Sequence, residues 1–332
     1  MATKWGIVSV GNISHDFVTA LRTLPESEHV IVAAAARDLS RAQAFAKLHK
    51  IKEAYGSYTE LAENKDIDIV YIGALNPQHF EIAKLMLNHG KHILCEKPLT
   101  MNLKQTTELI NLAKQKKLFL MEAIWSRCFP VYEAVRKEID SGSIGEVHQV
   151  LVTFGFDLAE VQRLMKKELG GGTILDLGVY GIQFVRFVFN DDEPDSVQAS
   201  GCLNEEGVDK YVSASFYYKK NRTATIITSS LAALPNEAYV IGTKGTIIIP
   251  QFWCPTTVSL PSGTVVDVPL PEGGQKFNFI NSAGLRYEAD EARKCILKGM
   301  IESPKVSHND SLLIAKLEDE IRKQVGVVYP QD

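Results

Sequence analysis

The sequence predicts a two-domain α/β chain: an N-terminal doubly wound parallel sheet, then an α+β domain with an open, mainly antiparallel sheet. Three observations predict it. Short apolar runs alternate with helix-spaced segments as far as about residue 125. Beyond that point strand-like runs follow one another with little helix between them. The chain has 332 residues, more than one compact core is expected to hold. The expected domains are therefore residues 1–125 and 126–332.

In the first domain the run from Met1 to Gly6 leads straight into a strand over Trp5–Val10, with no signal-peptide layout. Gly11 opens a helix that runs to about Thr23. Val30–Ala36 is the second strand, and Ser40–His49 a helix with Ser40 as its N-cap. Ile69–Ala74 is a strand, Glu81–Asn88 a helix stopped by Gly90, and His92–Cys95 a strand. Leu103–Lys116 is an amphipathic helix, and Leu118–Glu122 a strand.

The second domain starts with a helix over Pro130–Ser141 and a longer strand over Glu146–Phe156. A buried helix is expected over Asp176–Phe189. Strands are expected at Ser196–Leu203, Tyr211–Tyr218, Ala224–Leu231, Ala238–Gly242, Thr246–Ile249 and Val265–Val268. Helices near Tyr287–Gly299 and Asp310–Val325 close the chain.

Composition narrows the function classes. Hydrophobic residues make up 45% of the chain, enough for buried cores. The net charge of −4 has no long run of one sign, so neither nucleic acid nor an anionic membrane is an expected partner. Every apolar run is too short to span a bilayer. The five cysteines are scattered without a CxxC pair, which argues against a disulfide framework or a zinc site and fits reduced thiols in the cytoplasm.

Three motifs carry chemistry. In Gly6-Ile7-Val8-Ser9-Val10-Gly11-Asn12-Ile13-Ser14, a strand turns into a helix where a dinucleotide fingerprint belongs. Such a site needs a tight turn and backbone N–H groups that approach a pyrophosphate. Only Gly11 of the usual glycines is present; Ser9 and Ser14 stand at the outer two. At the end of the second strand, Ala36-Arg37-Asp38-Leu39-Ser40-Arg41 offers two guanidinium groups beside a helix start, which suits the 2′-phosphate of NADP(H). Asp38 is the dissenting residue, since a carboxylate there can hold a ribose hydroxyl of NAD.

The third motif has two parts. Cys95-Glu96-Lys97-Pro98 ends a strand, the place where doubly wound sheets bind ligands. Gly170-Gly171-Gly172 precedes Asp176 and Tyr180, spaced to share one face of a helix. A phenol has an ordinary pKa of about 10, and a nearby ammonium would lower it towards a useful acid–base value. Read alone, Asp176 is equally well an N-cap and Tyr180 a core residue.

Together with Ala54-Tyr55-Gly56-Ser57-Tyr58, Phe119–Trp125, Gly242–Thr246 and the terminal Pro330-Gln331-Asp332, these motifs give a resemblance along essentially the whole chain. The sequence resembles the glucose–fructose oxidoreductase/inositol dehydrogenase family, and within it the dihydrodiol and D-xylose dehydrogenase branch. Most of the family has histidine at the Tyr180 position, so tyrosine narrows the match to that branch. The resemblance implies a Rossmann domain and NADP(H). It implies Tyr180 as acid–base catalyst with Lys97 assisting, and Asp176 as a group that binds substrate hydroxyls. Ser9, Gly11, Asn12, Ile13, Arg37, Asp38, Arg41, His79, Glu96 and Lys97 fall at the cofactor. Trp125, Phe154, Asp176 and Phe279 fall around the substrate. It also implies a homodimer built through the C-terminal sheet. The expected reaction moves a hydride between NADP and a cyclic diol or sugar hydroxyl. A sugar or cyclitol dehydrogenase without diol activity, or a non-catalytic NADP-binding sensor, stays open at this point. The segment Leu158–Lys167 departs from the pattern expected for mammalian members, which leaves substrate preference open.

Overall fold

The computed structural model describes residues 2–190 and 193–332. Met1, at the head of the first expected run, lies outside the described residues, as do Asp191 and Asp192. Two compact units emerge. One comprises residues 1–100, 104–128 and 270–308, the other residues 101–103, 129–269 and 309–332. A single cut at residue 125 therefore misses a return of the chain. Residues 270–308 rejoin the first unit because helix Leu285–Leu297 packs on the first helix of the nucleotide-type sheet.

The first unit holds six parallel strands: β1 (Thr3–Val8), β2 (His29–Ala35), β3 (Glu53–Tyr55), β4 (Ile69–Ile72), β5 (His92–Glu96) and β6 (Leu120–Ala123). Their order is β3-β2-β1-β4-β5-β6, so strand order reverses between β1 and β4 and opens a ligand crevice there. Five helices connect them: α1 (Asn12–Leu21), α2 (Leu39–Leu48), α3 (Tyr58–Glu63), α4 (His79–Asn88) and α5 (Leu103–Lys116). Sequence patterning does not reveal β3 or α3. The strand is three residues long, and α3 is six residues started by a capping box between Ser57 and Glu60. Trp5, Phe17 and Tyr71 form the central aromatic stack, with Phe17 and Tyr71 rings 3.8 Å apart. Burying each such side chain contributes about 1.5–3 kcal/mol.

Trp5 also fixes the tautomer of His29. Indole Nε1 is a donor only, and it donates to His29 Nδ1 at 3.2 Å. That nitrogen must stay unprotonated, and burial together with Arg293 pulls the imidazole pKa down to about 4. In the unfolded chain the same group takes its proton near 6.5, so between these values the unfolded state binds more protons. This histidine therefore contributes stability that is complete above pH 6.5 and is lost as pH falls towards 4. Its share of the slope is up to about 1.4 kcal/mol per pH unit. Urea unfolding of wild type and His29→Gln, which keeps an acceptor but cannot titrate, is expected to show a shallower acid slope in the variant. Equal slopes would assign the acid sensitivity elsewhere.

The second unit carries an eight-stranded sheet of β7 (Val147–Gly155), β8 (Ser196–Leu203), β9 (Asp209–Tyr218), β10 (Arg222–Ser229), β11 (Glu237–Gly242), β12 (Gly245–Pro250), β13 (Thr257–Ser259) and β14 (Val265–Asp267). Their order is β14-β13-β12-β11-β7-β10-β9-β8, and every neighbouring pair is antiparallel except β7 with β10. Alternate residues of β9 and β10 are buried, so one face of the sheet is covered. Helix Val179–Val188 lies on that face against β7 and β10. It is buried on nearly all sides, and its one cation, Arg186, is paired with buried Asp310 at 2.8 Å. Among the described residues no helix is long and apolar enough to cross a membrane.

Candidate active site

At the switch point of the first unit, Ser9 N–H donates to Ala35 O and Gly73 N–H to Val8 O, tying the ends of β1, β2 and β4 together. Ser9 adopts a left-handed backbone, φ 69°, the conformation that a fingerprint turn ordinarily gives to glycine. Gly11 is the N-cap of α1 and provides no side-chain cap; the first turn holds no acidic residue. A Cβ on Gly11 would meet nothing within 4 Å. The donors of Asn12 and Ile13 thus begin a helix with an open, uncapped end, which is what a pyrophosphate requires. Ser14 is fully buried, and among the described residues its Oγ has no hydrogen-bond partner. A Cβ on Gly73 would come within 2.4 Å of that oxygen, so Gly73 supplies the close helix–strand approach that a third fingerprint glycine normally allows. These features fit a dinucleotide.

Arg37 and Arg41 are exposed beside this end of the sheet, and among the described residues neither lies in an ion pair. The helix-start expectation is corrected here. Asp38, not Ser40, is the N-cap of α2; its Oδ1 accepts from Ser40 N at 2.8 Å and Ser40 Oγ at 2.7 Å. Those bonds, the hydroxyl's first, hold the Asp38 carboxyl below its usual value. Tyr58, on the first turn of α3, is a residue that sequence reasoning did not assign. It lies near Ser9, Arg37 and Arg41, which act to lower its pKa, while burial, the larger effect, raises it. The register explains the meeting: Ala35 pairs with Tyr55, so α3 starts beside α2.

Further along the edge, Glu96 is buried and accepts from Tyr71 Oη at 2.6 Å and from Lys97 N at 3.3 Å. Lys97 is half-buried, and the Lys97–Pro98 peptide is cis. His79 is wholly buried. Its ring nitrogens lie 2.8 Å from Pro98 O and 3.0 Å from Ala74 O, so it straps two loops of the crevice rather than facing it. Trp125 is buried in a short turn after β6. Phe279 is 47% exposed, on a loop that buried Asp16 of α1 holds through Asn278 N at 2.8 Å and Phe279 N at 2.9 Å.

The second unit assembles Phe154, Asp176 and Tyr180. The single α-helical face expected for the last two is corrected: Ile174–Gly178 is a π-helical turn, and the α-helix begins only at Val179. Wider turns of this kind recur at functional sites. Tyr180, 7% exposed, packs edge-on to Phe154 with centroids 5.6 Å apart. The Trp253 ring also lies against Phe154, with centroids 4.5 Å apart, and was not legible in sequence, since it sits in an irregular turn after β12. Asp176 is a buried carboxylate held by Arg163, with Nη1–Oδ1 at 2.9 Å and Nη2–Oδ2 at 3.3 Å.

Buried Asp209 starts the π turn. Its Oδ2 accepts from Thr173 Oγ1 at 2.6 Å and Ile174 N at 2.9 Å, while burial raises its pKa. Asp209→Ala leaves both donors without this acceptor and is expected to lower stability by about 1–3 kcal/mol in urea unfolding. A change below about 0.5 kcal/mol would mean that the turn does not depend on this cap.

Residues 3–124 match the oxidoreductase family with an NAD-binding Rossmann fold, and residues 132–248 match the GFO/IDH/MocA C-terminal domain. The chain is similar along its whole length to trans-1,2-dihydrobenzene-1,2-diol dehydrogenases. Identity is 48% to that of Danio rerio and 43% to that of Homo sapiens, in each case over 100% of this chain and 99% of the relative. In fold it is similar to an aldose–aldose oxidoreductase from Caulobacter crescentus complexed with glycerol, with a TM-score of 0.83, 20% identity and 98% of each chain covered. A 3-ketoreductase from Actinomadura kijaniata in complex with NADP aligns with a TM-score of 0.82, 24% identity and 99% of each chain covered. The chain belongs to the GFO/IDH/MocA family and is a nicotinamide-nucleotide-dependent oxidoreductase.

Proposed function

We propose that this protein is an NADP-dependent dehydrogenase that oxidises a hydroxyl of a cyclic diol or a sugar, with Tyr180 as the acid–base group. The observation that carries the reading is the environment of Tyr180: a phenol on a buried helix, against Phe154, just after the carboxylate of Asp176. NADP, when bound, accepts the hydride from the substrate carbon. The chain's own part is to bind, orient and move a proton. Tyr180 Oη takes the substrate hydroxyl proton, and Lys97 assists by favouring the phenolate and holding the substrate oxygen. Asp176 accepts from further substrate hydroxyls. Phe154, Trp125 and Phe279 offer apolar faces to a ring.

At the cofactor, the backbone N–H groups of Gly11, Asn12 and Ile13 would hold the pyrophosphate at the turn that Ser9 makes, and Arg37 and Arg41 would hold the 2′-phosphate. Asp38 caps the helix beside them. Glu96 anchors the Lys97 backbone, and His79 is a positioning residue that holds the Pro98 loop. The reading retains a homodimer through the C-terminal sheet and a cytoplasmic setting. Full-length similarity to dihydrodiol dehydrogenases supports the substrate class. The decisive assay is NADP+ reduction with benzene dihydrodiol, D-xylose and D-glucose. Turnover of at least one supports the reading. Tight NADPH binding without turnover of any would replace it with a non-catalytic sensor.

A further inference from the structure

Arg163 belongs to no motif, yet it makes the one bidentate contact to Asp176 described above. Its side chain is 44% exposed, that of Asp176 only 9%. A planar guanidinium fork fixes the orientation of a carboxylate as well as its charge. The position of Arg163 is itself built. Leu158 N–H donates to Ser230 O at 2.9 Å, which pins one end of the segment to the end of β10. Gly172 N–H donates to Leu164 O at 2.9 Å and Gly171 N–H to Lys166 O at 3.0 Å, which pins the other end to the glycine run. A Cβ on Gly171 would come within 2.4 Å of Leu164 O. Asn204 Nδ2 donates to Met165 O at 2.9 Å. The glycine run thus gives more than backbone freedom: only a bare backbone lets the Arg163 turn lie this close, next to the residue it clamps.

We infer that Arg163 is a specificity-determining residue, which holds Asp176 as a fixed anionic acceptor and so selects polyhydroxylated, sugar-like substrates over apolar-ring diols. The inference rests on the proposed role of Asp176 and deepens it. A clamped carboxylate accepts from hydroxyls in one geometry, and each charge-assisted hydrogen bond depends on that geometry. A substrate with several ring hydroxyls gains from a fixed acceptor beside a cation. A cyclohexadiene diol, with two hydroxyls and an apolar ring, gains less and relies on the aromatic faces. The clamp comes from Leu158–Lys167, so the segment that departs from the mammalian-like pattern is the one that tunes substrate choice.

The test compares wild type, Arg163→Ala, Arg163→Lys and Gly171→Ala, with D-xylose and benzene dihydrodiol as substrates and NADPH binding as control. Arg163→Ala is expected to raise the KM for D-xylose about 10–100-fold, with a smaller change in kcat. The kcat/KM for the dihydrodiol and the NADPH affinity should stay near wild type. Arg163→Lys should recover part of the loss, because it restores charge but not the fork. Gly171→Ala should likewise raise the KM for D-xylose and leave the dihydrodiol kcat/KM near wild type. Equal losses on both substrates, or no change on either, would overturn the inference while leaving the dehydrogenase reading intact. A wild type that oxidises neither substrate, nor any other diol or sugar, would remove that reading and this inference with it.

Discussion

Replacing Tyr180 with phenylalanine is expected to lower kcat about 10²–10⁴-fold, the range that general acid–base catalysis contributes, while NADPH affinity is unchanged. The substitution removes one oxygen and keeps the ring, so the edge contact with Phe154 survives. The helix that carries Tyr180 is anchored independently: its Arg186 pairs with Asp310, and the preceding turn is capped by Asp209. A large loss in kcat with an intact thermal transition would therefore report on chemistry rather than folding. Lys97→Met is expected to give a similar loss. If both groups act on one proton transfer, the double variant falls no further than the worse single one, since residues that work as a unit are not additive. Near-wild-type turnover in Tyr180→Phe would transfer the acid–base role to another group.

Much of the scaffold was legible because period and punctuation agreed. Leu103–Lys116 and Ser196–Leu203 fall where spacing places them. Elements too short to show a period were lost, as with β3, α3 and β13. The site divided along a different line. Residues joined by a motif, such as Glu96-Lys97-Pro98 or Asp176 and Tyr180, stand out as candidates in the sequence. Residues brought in by tertiary register could not. Tyr58 comes near Ser9 and the two arginines through strand pairing, and Trp253 reaches Phe154 through a turn with no pattern of its own. Arg163 lies in the segment that departs from the expected pattern, but only its hydrogen bonds to Asp176 give that departure a chemical meaning. The π turn was hidden for a similar reason. An apolar run reads the same whether its bonds close at four residues or at five.

Replacing Arg37 and Arg41 together by alanine is expected to weaken NADPH binding about 10²-fold or more and to leave NADH binding nearly unchanged. Two charge-assisted contacts to a phosphate are worth about 1.5–3 kcal/mol each at full strength, and exposure reduces that figure. Both guanidiniums are exposed and out of ion pairs among the described residues, so their removal leaves no buried charge stranded. The loss then measures the ligand contact and not a folding defect. Salt provides a second readout. Raising ionic strength should weaken NADPH binding to wild type more than NADH binding, and the difference should shrink in the double variant. Asp38 sharpens the comparison. If its carboxylate held the ribose of NAD, the variant would keep a strong NADH site and Asp38→Ala would abolish it. The Ser40 contacts to its Oδ1 point instead to a cap, whose loss should lower stability slightly and cost little NADH affinity. Equal losses of NADPH and NADH in the arginine variant would remove the 2′-phosphate assignment, because only that phosphate separates the two ligands.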